Sequence, residues 1–177
     1  MREIIFACDY TLILKRFKQF YHPYLPIAPR KSFEPESLQY MATYEPHLLT
    51  AIITVAARDL PQGESILRTC SHYMHQLVSE ISAGKRCDVE AVEALLLLAE
   101  WEPQDSLSEG REVGCGEEDR AAWMHVGIAL RTAYFLGLDR TMIKHEDEDK
   151  AAHMHRRRVT WSGMQLMPQM QKVVLED

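Results

Sequence analysis

The fold is decided by an apolar run inside the segment Val89-Glu90-Ala91-Val92-Glu93-Ala94-Leu95-Leu96-Leu97-Leu98-Ala99-Glu100-Trp101. Residues 94–99 leave no polar side on a helix, and a helix that is apolar all round is a buried one. Asp88 can cap the first turn, and Pro103 prevents the helix from continuing. We therefore expect a helix over residues 89–101 in the interior of the molecule.

A second segment of the same apolar character lies earlier in the chain, at residues 47–59. Pro46 suits the first turn of a helix over residues 47–59, because the missing N–H of proline is not needed there. This helix has almost no polar face. Its apolar residues are Leu48, Leu49, Ile52, Ile53, Val55 and Ala56. The two apolar helices are expected to form the centre of the fold.

The remaining segments predict outer helices joined by connections rich in proline, glycine or acidic residues. The expected helices are 3–20, 64–81, one that begins at 118–119 and ends near Gly137, and 148–168. Residues 22–45 are expected to form a long connection without a helix. On the fifth helix the expected inward stripe is Trp123, Val126, Leu130, Ala133 and Tyr134. No strand-like alternation and no repeat is visible, so we predict an all-α, irregular bundle of about six helices.

Charge and cysteine content exclude several classes of protein. The 177 residues contain 20 Lys and Arg against 26 Asp and Glu, a net charge of −6, which argues against a DNA-binding surface. Residues 100–120 alone hold eight acids and two bases, so the acidity belongs to one connection, most simply a solvated loop. The four cysteines form no C-x-x-C pair, which is typical of reduced thiols in an intracellular protein. No apolar run has the length of a membrane span or the features of a cleaved signal peptide.

Several polar residues have the chemistry of metal ligands or catalytic groups. Cys70, His72 and His75 could begin a zinc site, as could His153 and His155, but each set is short of the three or four convergent ligands that zinc needs. Partly exposed histidines are the simpler interpretation. Glu90 and Glu93 are expected on a solvated helix face. The sequence contains no nucleophile elbow, phosphate loop or zinc-protease motif, so we predict no catalytic or metal-binding residues and no enzyme.

Two further patterns lie near the end of the chain. Arg156, Arg157 and Arg158 could contact nucleic acid, but three basic residues beside the acids of 146–149 predict an ion-paired helix surface. Methionines at helical spacing could line an adaptable groove, although ordinary packing is the better interpretation for Met164, Met167 and Met170.

Five segments in order resemble the fungal-specific transcription factor domain, the regulatory middle region of fungal zinc-cluster activators. Each segment alone is a weak signal, but their order and spacing match over residues 12–161. The last two correspond to the family patterns Trp-x-x-x-Gly-x-Ala-x-Arg-x-Ala with Leu-Gly-Leu-x-Arg, and a basic-to-tryptophan block. The five segments are Phe17-x-x-Phe20-Tyr21-His22-Pro23-x-x-Pro26-Ile27, residues 46–58, residues 89–101, residues 122–140 and Arg156-Arg157-Arg158-Val159-Thr160-Trp161.

The resemblance implies a nuclear protein that regulates transcription through an effector small molecule or the transcription machinery, without membrane contact. It assigns scaffold roles to the residues that match the family motifs, and it predicts neither the identity of the effector nor an oligomeric state. These residues are His22, Pro23, Trp101, Trp123, Gly127, Arg131, Gly137, Leu138, Arg157 and Trp161.

Two departures from the family pattern qualify this expectation. Ser162 follows Trp161 where the family has a second aromatic residue, and the later family segments do not follow before Asp177. We therefore expect residues 1–177 to be part of a regulatory domain, from a truncated product or a gene fragment. The zinc of the family belongs to a six-cysteine DNA-binding module that four unpaired cysteines cannot form, so no zinc and no DNA contact are expected here. The alternative is a stand-alone helical interaction module without regulatory activity.

Overall fold

A computed structural model describes residues 10–60, 63–101, 120–142 and 151–167. These residues form seven α-helices and three short 3₁₀ turns, with no strand among them, so the all-α prediction is confirmed. The helices are α1 Tyr10–Phe20, α2 Leu38–Tyr44, α3 Pro46–Ala57, α4 Gly63–Ser82, α5 Val89–Glu100, α6 Arg120–Leu136 and α7 Ala151–Leu166. The 3₁₀ turns are Arg30–Phe33, Pro35–Ser37 and Asp139–Met142.

The two apolar helices form the centre of the bundle, as predicted. Helix α5 packs against α3, α6 and α7, and α3 also packs against α1, α2 and α4. Eleven of the twelve residues of each helix are buried, so neither helix has a solvated face. The outer helices bury one stripe each against this pair. Over the described part of the chain, no helix is both long and apolar enough to cross a membrane.

The connection expected over residues 22–45 contains a helix that was not predicted. Helix α2 is seven residues long and buries Met41, and the two 3₁₀ turns before it follow Pro29 and Glu34. A helix this short gives little periodic signal, since only Met41 is fully buried and Leu38 and Ala42 are partly buried against the core. The prolines that precede this helix favour a connection without regular structure.

Helix ends follow the signals in the sequence. The helix ends near Gly137, as predicted: this residue has a φ of +69°, and the N–H of Leu138 donates to the carbonyl of Ala133 at 2.9 Å, which closes a left-handed cap. Asp88 accepts the N–H of Val89 at 2.7 Å and begins α5. Helix α3 starts at Pro46 and ends at Ala57, two residues before the expected end. The segments expected at 3–9, 118–119 and 148–150 lie outside the described residues.

The inward face of α6 differs from the expected stripe. The buried residues are Ala122, Val126, Ala129, Thr132 and Ala133. Trp123 and Leu130 are half-buried and Tyr134 is exposed, so the expectation for these three was wrong in part or in full. Helix α6 packs closely on α5, and small side chains permit that approach where aromatic rings would not fit.

Candidate functional site

Three distant segments bring charged side chains together at the start of α3. Arg156 of α7 donates from Nη1 to Oε1 of Glu45 at 2.7 Å and from Nη2 to Oε2 of Glu45 at 3.0 Å. The same guanidinium donates from Nε and Nη2 to the carboxylate of Glu93 in α5, at 2.9 and 2.7 Å. Thr160, one turn after Arg156, adds a hydroxyl bond of 2.9 Å to Glu93. We call Glu45, Glu93, Arg156 and Thr160 the ionic cluster.

Burial makes the ionic cluster a feature of the interior. Glu93 is 0% exposed and Glu45 8% exposed, and the side chain of Arg156 keeps 19% of its exposure. Charged groups in such surroundings are costly unless they are paired and hydrogen-bonded, and here both carboxylates bond the one guanidinium. The cluster therefore ties α7 to α5 and to the residue that precedes α3.

Glu90 forms a second buried contact beside the cluster. Its Oε1 lies 2.6 Å from Nδ1 of His47, and its Oε2 accepts the N–H of Leu48 at 2.9 Å. Leu48 is in the first turn of α3, where backbone N–H groups have no partner within the helix. Glu90 thus acts as an N-terminal cap supplied by a different helix.

The expectation that Glu90 and Glu93 lie on a solvated face is wrong. Both carboxylates are buried, because α5 is surrounded by other helices on all sides. Their partners are 42 to 67 residues away in sequence, so no local pattern could indicate them. The one available signal was that a helix with no polar face has no place for two solvated carboxylates.

Burial governs the protonation of the ionic cluster. Desolvation raises the pKa of Glu93 to about 7, against the lowering influence of Arg156 and Thr160. The carboxylates of Glu93 and Glu45 in turn raise the pKa of Arg156 despite its own burial, so the guanidinium stays charged. Glu93 is therefore the group of the cluster that changes its charge near neutral pH.

Glu93→Gln should change how stability depends on pH. The folded pKa of about 7 exceeds the ordinary value of 4.5, so the folded protein binds this proton more tightly than the unfolded chain does. The resulting stabilisation is complete below pH 4.5 and is lost as the pH rises through 7. Relative to Glu93→Gln, the wild-type free energy of unfolding should fall by about 2 to 3 kcal/mol across this window, measured by urea denaturation.

The exposed residue Glu36 supplies the control, since Glu36→Gln should follow the wild-type curve. If the wild type instead gains stability over Glu93→Gln as the pH rises, the three hydrogen bonds outweigh burial and Glu93 is ionised throughout.

The three consecutive arginines, 156–158, bond groups within the protein. Arg157 donates to the carbonyl of Leu136 at the end of α6, and Arg158 donates from Nε to the carbonyl of Thr141 at 2.9 Å. Arg156 and Arg157 are ion-paired, as expected, but with Glu45, Glu93 and Asp88 of other segments and not on a helix surface of their own. The acids at 146–149 lie outside the described residues. The signal in the sequence was the spacing of Arg156 and Thr160, which places both on one face of α7.

The other candidate residues are not assembled into a site. His72, His75, His153 and His155 are exposed while Cys70 is buried. Within the described ranges, no group of three or more His, Cys, Asp or Glu could hold a metal ion. Met164 and Met167 are buried, which confirms ordinary packing for these two, and Met170 lies outside the described residues.

Three family-motif residues lie near the end of α1. The His22 ring bonds the carbonyl of Ala28 at 3.0 Å and lies edge-on to Phe33, with ring centres 4.8 Å apart. Trp101 stands edge-on to Tyr21, with ring centres 5.4 Å apart. Pro23 is exposed in the turn after α1.

The other family-motif residues belong to α6, its cap and α7. Trp161 lies edge-on to Tyr134 at 5.5 Å, and Leu138 is fully buried. On α6 itself, Trp123 and Gly127 are half-buried and Arg131 is exposed. In the described part of the chain, a Cβ on Gly127 would meet only the end of the Arg131 side chain, at 3.4 Å.

By fold and site, the chain is a helical bundle centred on two apolar helices, with a buried ionic cluster that joins α7 to them. The family model for the fungal specific transcription factor domain matches residues 14–163, and the chain belongs to this family. This confirms the resemblance, and the match includes all five segments that carried it. The search of curated proteins and the search of solved structures each returned no match.

Proposed function

We propose that this chain is the regulatory, non-DNA-contacting domain of a fungal zinc-cluster-type transcription factor. It acts in the nucleus, catalyses no reaction, and responds to a small-molecule effector or to a component of the transcription machinery. Family membership over residues 14–163 supports the role in transcription. The zinc of the family belongs to the DNA-binding module, which this sequence does not contain.

One observation carries the absence of DNA contact. The sequence has a single run of three basic residues, and all three arginines of this run bond groups within the protein. DNA affinity depends on cations that are free to neutralise phosphates. The net charge of −6 also supports this proposal.

The ionic cluster supports regulation through α7. This helix is joined to the centre of the bundle by a buried charged contact, and in some proteins such contacts select one arrangement of the helices. An effector that binds better when α7 is docked than when it is released would shift the population between the two states. Docking of α7 is then the step that an effector or partner controls.

A reporter assay tests the regulatory role. The 177-residue chain is placed between an unrelated DNA-binding module and an unrelated activation module in fungal cells, and transcription from the matching promoter is measured. We expect the intact chain to restrain activation, and Arg156→Met, which breaks the ionic cluster, to release it.

Arg140→Met is the matched control, because the Arg140 side chain is 78% exposed and lies outside the cluster. It should restrain activation as the wild type does. Equal reporter output with and without the intact chain would contradict the proposal and favour a helical interaction module.

A further inference from the structure

A cleft lined by His47 and Glu90 has the size of a ligand site. It has a volume of about 660 Å³ and opens between α4, the connection before α5 and the start of α3. Small-molecule sites typically enclose about 300 to 1,000 Å³. His47 and Glu90 line its buried part, and Leu77 and Ile81 supply an apolar wall.

The carboxylates that line this cleft already have partners within the protein. Glu90 is bonded by His47 and by the N–H of Leu48. Glu80 accepts from Nζ of Lys85 at 2.5 Å, and Asp88 accepts the N–H of Val89. Each of these carboxylates therefore already has a hydrogen-bond partner, which a cationic ligand would have to displace.

The hydrogen-bond donors of the cleft are in excess. Within the described part of the chain, Arg86 has no carboxylate within 4.0 Å, and Tyr73 has no hydrogen-bond partner for its hydroxyl. Lys85 uses one of its three N–H groups on Glu80. Burial raises the pKa of Tyr73, which keeps its hydroxyl a donor. Lys85 and Arg86 are exposed and these donors are open to a ligand rich in acceptors, and a guanidinium matches a carboxylate with two parallel bonds.

We propose that this cleft binds a small organic carboxylate, with its charged group at Arg86, Lys85 and Tyr73 and its apolar part against Leu77 and Ile81. The inference deepens the proposed regulatory role and rests on it for its biological meaning, since the ligand would be an effector of the domain. Binding itself is a property of the isolated chain and can be measured without transcription.

The position of the cleft explains how ligand binding would influence the docking of α7. His47, in the first turn of α3, bonds Glu90 of α5. Glu45, the residue before α3, bonds Arg156. A ligand that orders the start of α3 therefore favours the arrangement in which Glu45 meets Arg156. Ligand binding and docking of α7 then support each other, as thermodynamic coupling requires.

Calorimetric titration of the purified 177-residue chain tests the site. The probes are hexanoate, phenylacetate and adipate, each compared with its uncharged amide, and inorganic phosphate serves as the control for simple anion binding. We expect at least one carboxylate to bind, and its amide and phosphate not to. Arg86→Gln should weaken binding by about tenfold or more, because it removes a bidentate charged partner.

Arg68→Gln is the matched control, an exposed arginine of α4 that pairs with Glu64 away from the cleft, and it should bind as the wild type does. The proposal is overturned if none of the three carboxylates binds, if an amide or phosphate binds equally well, or if Arg86→Gln and Arg68→Gln bind alike. Carboxylate binding to a chain that has no influence on the reporter would support the site and contradict the regulatory role. A chain that restrains the reporter but binds no carboxylate would contradict the site alone.

Discussion

Replacing Arg156 with methionine is expected to lower the free energy of unfolding by about 3 to 5 kcal/mol. The substitution keeps an unbranched apolar stem but removes the guanidinium, so the buried Glu45 loses its cation and Glu93 must stay charged without one or bind a proton. Breaking a buried ion pair in this way costs more than the pair itself contributes, because an uncompensated charge is left in the interior. Urea denaturation of the purified chain at neutral pH measures the change.

Two further variants separate charge from packing. Arg140→Met changes an exposed arginine and should stay within about 0.5 kcal/mol of the wild type. The triple variant Glu45→Gln, Glu93→Gln, Arg156→Met should recover most of the loss, since no buried charge remains. A triple variant as unstable as Arg156→Met would show that the guanidinium matters through its packing.

Leu96→Ala is expected to destabilise the protein by about 3 to 5 kcal/mol. Leu96 is 0% exposed in α5, between helices on every side, so the shortened side chain leaves a cavity that the surrounding helices cannot close. The same denaturation experiment measures the loss. Trp123→Ala should cost less than a fully buried tryptophan would, since Trp123 is half-buried on α6.

Leu166→Ala is the matched control for Leu96→Ala, because Leu166 is 73% exposed at the end of α7. It should change stability by about 0.5 kcal/mol or less. If Leu96→Ala were equally mild, α5 would not be the centre of the bundle.

The sequence predicted the features that depend on neighbouring residues. Helices α3 and α5 were found because their apolar residues leave no polar side, and Gly137 and Asp88 marked helix ends through local backbone chemistry. Helix α2 was missed because one buried residue, Met41, does not make a periodic pattern.

The ionic cluster was missed for a different physical reason. Glu45 and Arg156 are 111 positions apart, and Glu93 and Arg156 are 63 apart. Such contacts depend on how whole helices pack, whereas a sequence pattern reports only the residues within a few turns. Glu93 on an apolar helix was consequently assigned to a solvated face that does not exist.

The separation of Glu45 from Arg156 also sets the order in which the chain can mature during synthesis. Helices α3 and α5 emerge from the ribosome before α7, so Glu45 and Glu93 are synthesised before Arg156, the cation that they bind. Until Arg156 arrives, burial of either carboxylate is unfavourable, and the start of α3 stays open to water. Closing a loop of this length also carries an entropy cost that slows folding. The bundle can therefore be completed only after α7 has been synthesised and has brought Arg156 to Glu45 and Glu93.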